Sequence, residues 1–81
     1  MTVKDFINVL SFNDRDIIEI IDYETLETLG TFGSTNETAK SEYSDKEITS
    51  LVFESETIDV ITVMAQKVKT NRKRFLITIK Q

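Results

Sequence analysis

Four isoleucines in five positions, Ile17-Ile18-Glu19-Ile20-Ile21, constrain this chain more than any other stretch. β-Branched side chains lose rotamer freedom in a helix and pack well on a pleated surface, so the run reads as a strand buried on both faces. Thr28 to Phe32 is then its returning partner across a turn at Tyr23 to Glu27. The spacing of Ile17, Ile21 and Leu29 also permits a single helix from Asp14 to Leu29, capped by Gly30. The isoleucine density favours the hairpin.

Strand patterning returns in the second half. Ile48 to Glu54 reads as a strand, Glu54-Ser55-Glu56-Thr57 as a bend, and Ile58 to Ala65 as a strand apolar on both faces and therefore central in its sheet. Lys69 to Lys73 reads as a polar tip. Beyond it Phe75, Ile77 and Ile79 alternate with more polar neighbours in a last strand, an edge guarded by charge. Helical spacing is confined to two short places. Thr2 and Asp5 form a capping-box variant for a helix over residues 3–11, with Val3, Phe6, Ile7 and Leu10 on one side. Asn36 caps a second through Glu37, Ala39 and Tyr43, ending near Asp45. Gly30 and Gly33 mark the turn before it. The order α-β-β-α-β-β-β predicts an α+β domain: a short N-terminal helix, a mostly antiparallel sheet of about five strands and one further short helix. Eighty-one residues allow one domain, 1–81, with one core. Phe6, Phe53, Phe75 and the isoleucines are assigned to that core.

The missing residue types bound the chemistry. The chain has no His, Cys, Trp or Pro. Without His and Cys there are no imidazole or thiolate nucleophile pairs and no such metal ligands. Asp14-Arg15-Asp16 and Asp22-Tyr23-Glu24 space carboxylates two apart, but the glycine and terminal Glu of a calcium loop are absent. Gly30 to Thr35 lacks the Gly-Lys-Ser/Thr of a phosphate loop. The expectation is a non-enzyme with no metal, no cofactor and no small-molecule substrate. The opening Met1-Thr2-Val3-Lys4-Asp5 carries an acid where a secretion signal has bases, and the apolar runs are too short to span a bilayer. A cytoplasmic chain with no membrane partner is expected.

Charge supplies the candidate sites. All 14 acids lie between Asp5 and Asp59, while Val60 to Gln81 carry six bases and no acid. With four bases among the first 59 residues, the two parts carry 4 − 14 = −10 and +6, summing to the net −4. If signs separate on the folded exterior, one surface repels phosphate and another attracts anions. The acidic candidates are Asp14, Asp16, Glu19, Asp22, Glu24 and Glu27, an array able to imitate a phosphate backbone. The basic candidates are Lys67, Lys69, Arg72, Lys73 and Arg74, a segment able to contact phosphates, although no aromatic interleaves them.

Val3-Lys4-Asp5-Phe6-Ile7-Asn8-Val9-Leu10, Asp16 to Asp22, Thr25-Leu26-Glu27-Thr28-Leu29-Gly30 and Asp45-Lys46-Glu47-Ile48 together resemble small acidic accessory proteins of Gram-positive prophages and conjugative elements. The likeness covers about residues 3–65, and the basic strand after Ala65 departs from it. Anti-restriction and anti-CRISPR proteins are found in that setting. The resemblance therefore implies a stoichiometric inhibitor of a host defence nuclease, such as a CRISPR effector or its guide RNA complex, and carries over no site residue. Two other expectations stand beside it: a homodimer joined through edge strands, and a nucleic-acid binder acting through the basic segment 67–74.

Overall fold

The isoleucine run is a strand, and residues 14–29 hold a hairpin rather than a helix. The computed structural model describes every residue from Met1 to Gln81. Its elements are α1 (Val3–Val9), β1 (Ile17–Asp22), β2 (Thr28–Phe32), α2 (Thr35–Ala39), β3 (Ile48–Ile61) and β4 (Lys67–Ile79). The four strands form one sheet in the order β2-β1-β4-β3. β1 pairs antiparallel with β2 and parallel with β4, and β3 pairs antiparallel with β4. This is the expected α+β class, with four strands in place of about five and a parallel pairing at the centre.

The missing fifth strand has a definite cause. Glu54, Ser55, Glu56 and Thr57 do not bend, because they lie opposite Arg74, Lys73, Arg72 and Asn71 on β4. Opposite charges across a ladder hold both strands extended, so Ile48–Ile61 is one continuous strand. The reversal comes later, between Thr62 and Gln66. There Thr62 N–H donates to Gln66 O, Ala65 N–H donates to Thr62 O, and Gln66 N–H donates to the Thr62 hydroxyl. Ala65 takes a positive φ of 58°. Lys69 to Lys73 is consequently strand interior, not a tip.

Two positions in the sheet are exchanged relative to expectation. β4 is central and β3 is the edge. Phe75, Ile77 and Ile79 lie beside Ile18, Ile20 and Asp22 of β1, and all three are buried. The alternation is thus that of an inner strand with one face under cover.

That cover is α1. Thr2 Oγ1 accepts from Asp5 N–H, and Asp5 Oδ2 accepts from Thr2 N–H, closing the capping box. The helix ends at Val9, short of the expected Ser11, because Leu10 is already extended. Its Val3, Phe6 and Ile7 join Ile18, Ile20, Phe75, Ile77 and Ile79 in the core. The start of the chain is tied down by Val3 N–H to Lys46 O, Lys4 N–H to Ser44 O and Ile48 N–H to Met1 O. α2 begins two residues earlier than expected, capped by Ser34 instead of Asn36, and stops at Ala39. Residues up to Lys46 continue as hydrogen-bonded turns. Gly30 lies within β2 rather than in a turn. A Cβ there would sit 3.1 Å from two ring atoms of Phe32, so the glycine makes room for that ring.

β1 reaches only Arg74 on β4. Beyond that point β3 and β4 continue as a two-stranded arm of residues 55–61 and 67–73, closed by the 62–66 turn. The arm gives the molecule its length, 45 × 23 × 17 Å.

Candidate interaction surface

The six acids proposed as one face are divided. Asp16 is buried, its two oxygens accepting from Asn13 N–H at 3.0 Å and Lys73 N–H at 2.8 Å. Asp22 is buried at the end of β1 and accepts from Thr25 N–H and from the Thr25 hydroxyl at 2.9 Å. Glu19 lies on the sheet face away from the helices and accepts from Arg74 at 2.6 Å. Asp14, Glu24 and Glu27 are exposed. Asp14 precedes β1 and the two glutamates follow it, so six strand residues, about 20 Å, lie between them. No contiguous acidic array results.

The five bases are divided by strand alternation. Lys67, Lys69 and Lys73 fall on the helix-side face with Phe75, and Arg72 and Arg74 on the other. Arg72 pairs with Glu56, Arg74 with Glu19 and with Glu54 at 3.3 Å, and Lys67 with Asp59 at 3.7 Å. Glu19 hydrogen-bonded to it pushes the Arg74 guanidinium further up. Only Lys69 and Lys73 of this group make no ion pair. The separation of sign along the sequence therefore does not become separation in space. The hairpin folds the basic segment back onto the last acids, and the two signs become cross-strand neighbours.

An apolar groove emerges that the sequence reading missed. It has a volume of about 470 Å³ and lies between the end of α1 and the root of the arm. Phe6, Val9, Leu10, Phe53 and Phe75 form its apolar lining, and Lys73 stands at its side. Phe53, assigned to the core from sequence, is 65% exposed and meets the Phe75 ring edge-on at 5.3 Å. Val9 is 76% exposed. On the arm, Ile61, Val63, Met64 and Val68 are also exposed. The signal that could have found this surface is Phe53 on an edge strand beyond the reach of a seven-residue helix. No three or more acids converge to hold a metal ion, and no helix is long and apolar enough to cross a membrane.

Two of the acids link stability to pH. The Thr25 hydroxyl donating to Asp22 holds that carboxyl below its usual range, and the Thr2 backbone N–H does the same for Asp5. A carboxyl depressed in the folded state adds stability above its unfolded pKa and loses it as pH falls through the lower folded value. The melting temperature is thus expected to hold from about pH 7 to about pH 5 and to fall below about pH 4. Asp22→Asn should flatten part of that fall in a pH series of thermal melts. An unchanged acid slope would remove Asp22 from this role.

No protein-family model, curated protein or solved structure matches the chain.

Proposed function

We propose that this chain is a non-catalytic protein-binding module whose contact surface is the apolar groove at the root of the arm. The observation that carries this is the pair of largely exposed apolar side chains, Phe53 and Val9, bordering one groove beside the unpaired Lys73. Exposed apolar patches on a small chain mark contact surfaces, and aromatic anchors in pockets carry a disproportionate share of binding energy. The lysine adds a preference for a partner with an acidic group next to its apolar anchor.

The finer expectation, inhibition of a host defence nuclease, is kept in a changed physical form. Phosphate mimicry would need the acids that Asn13, Lys73, Thr25 and Arg74 already engage. Blocking would instead come from the groove occupying an apolar site on the nuclease. Direct nucleic-acid binding draws little support. Two free lysines would release about two counterions, giving weak, shallowly salt-dependent affinity.

Capture from lysate of a native host tests the module, with Val9→Lys as the comparison. The new lysine suits a helix C-terminus and should leave the melting temperature within a few degrees, while partner retention drops at least tenfold. Equal retention by both chains would discard the groove. If no nuclease is captured and added protein leaves cleavage intact, the inhibitor reading goes, whatever happens to the groove.

A further inference from the structure

The arm has an unsolved packing problem. A two-stranded ribbon is marginal in water, and three strands or a covering element are needed for independent stability. Here residues 55–61 and 67–73 have neither, yet Ile61 and Val68 stand exposed on them, and Val63 and Met64 on the turn that joins them. The outer edge of β3 is also unpaired. At its start Ile48 N–H is taken by Met1 O, but from Ser50 to Ile61 no further strand adjoins it. Edges of this length are usually blunted by charge, bulges or proline. In this one the acids Glu54 and Glu56 are already neutralised by Arg74 and Arg72.

We infer that β3 pairs antiparallel with β3 of a second copy about a two-fold axis at Thr57, joining the two arms into one four-stranded sheet. The register follows from side-chain complementarity. In a two-fold antiparallel pair, residues whose numbers sum to a constant face each other, and registers centred on Glu54, Ser55 or Glu56 set acids against acids. Centring on Thr57 sets none. It places Phe53 opposite Ile61 of the second copy at both ends of the ladder, joining two largely exposed apolar side chains, 65% and 73%. It places Ser55 opposite Asp59 of the second copy. Since Lys73 is the cross-strand neighbour of Ser55, its ammonium can reach over the small serine to that aspartate. Strands two apart are separated by about 10 Å, within the combined reach of the two side chains. The free lysine thereby gains an acid.

At the axis, each Thr57 hydroxyl donates to its own Asn71 at 3.1 Å, so the centre is a row of four small polar residues. Glu54 and Glu56 face Val60 and Ile58 of the second copy while keeping their own arginines. The interface is isologous and closes on itself, covering the edge of β3 from Phe53 to Ile61. The dimer engages Phe53 and Lys73, which also border the partner-binding groove, so a partner would meet those residues only in the monomer; the purified chain alone tests the dimer.

Sedimentation of the unmodified chain at high micromolar concentration is expected to give twice the monomer mass. The chain has no cysteine, so single cysteines report the register directly. Thr57→Cys should cross-link to itself under mild oxidation, since paired residues in a ladder have the Cα separation a disulfide needs. Ser55→Cys and Asp59→Cys should each cross-link poorly alone and efficiently when mixed. A chain that sediments as a monomer throughout overturns the inference. So does a dimer in which Thr57→Cys stays reduced and the mixed pair cross-links no better than either variant alone.

Discussion

Asp16→Ala is expected to lower the unfolding free energy by about 3 kcal/mol and the melting temperature by about 15 °C. The carboxylate is 2% exposed and does two jobs with its two oxygens. One accepts from Asn13 N–H and shapes the turn that leads into β1. The other accepts from Lys73 N–H, on the residue just before the one where β1 begins to pair with β4. Backbone amides donating to a charged acceptor contribute about 1.5–3 kcal/mol each, and truncation strands both donors away from water. Asp16→Asn keeps one acceptor and should lose about half as much. Urea unfolding with an unchanged m-value measures both variants. A loss under about 1 kcal/mol for the alanine variant would mean that water replaces the carboxylate, and that β4 needs no anchor there.

Asp16 also illustrates which parts of the molecule the sequence makes legible. Local rules identified the strand at Ile17 to Ile21, the capping box at Thr2 and Asp5, and the alternation of Phe75, Ile77 and Ile79. In each case the cause lies within a few residues. Asp16 looks in the sequence like one surface acid among six, because its second partner is 57 positions away. The same distance hid the parallel pairing of β1 with β4, which no local pattern announces. Glu54 to Thr57 resembled a bend because polar clusters usually mark turns. Their ion partners, 16 to 20 residues onward, make them strand instead. The true turn, Thr62-Val63-Met64-Ala65-Gln66, contains none of the Gly, Asn, Asp or Pro that turn chemistry favours. Its closure by the Thr62 hydroxyl and a left-handed Ala65 is visible only in three dimensions. Charge misled for the same reason. Segregation along the chain says nothing about space when a hairpin folds one block onto the other.

Ile77→Ala is expected to cost about 4 kcal/mol, the largest single effect in the chain. Ile77 is fully buried on the central strand, between Ile20 of β1 and Leu51 of β3, in the layer that α1 covers. The core holds only eight buried apolar side chains, so little neighbouring material can collapse into the space left behind. A domain of this size has roughly 4–12 kcal/mol of stability at about 0.05–0.15 kcal/mol per residue, so the variant should approach the folding threshold. Val63→Ala, at a fully exposed turn position, should change stability by less than about 0.5 kcal/mol. The two results together test where the fold's cooperativity resides. β4 runs through both regions as one strand, but residues 74–79 lie between two neighbours and 67–73 beside one. Amide exchange at low protein concentration, where any dimer is dissociated, should therefore step down in protection between Arg74 and Lys73. Uniform protection along β4 in the monomer would mean that the arm unfolds only with the core, and that its own cross-strand ion pairs are stronger than exposed pairs ordinarily are.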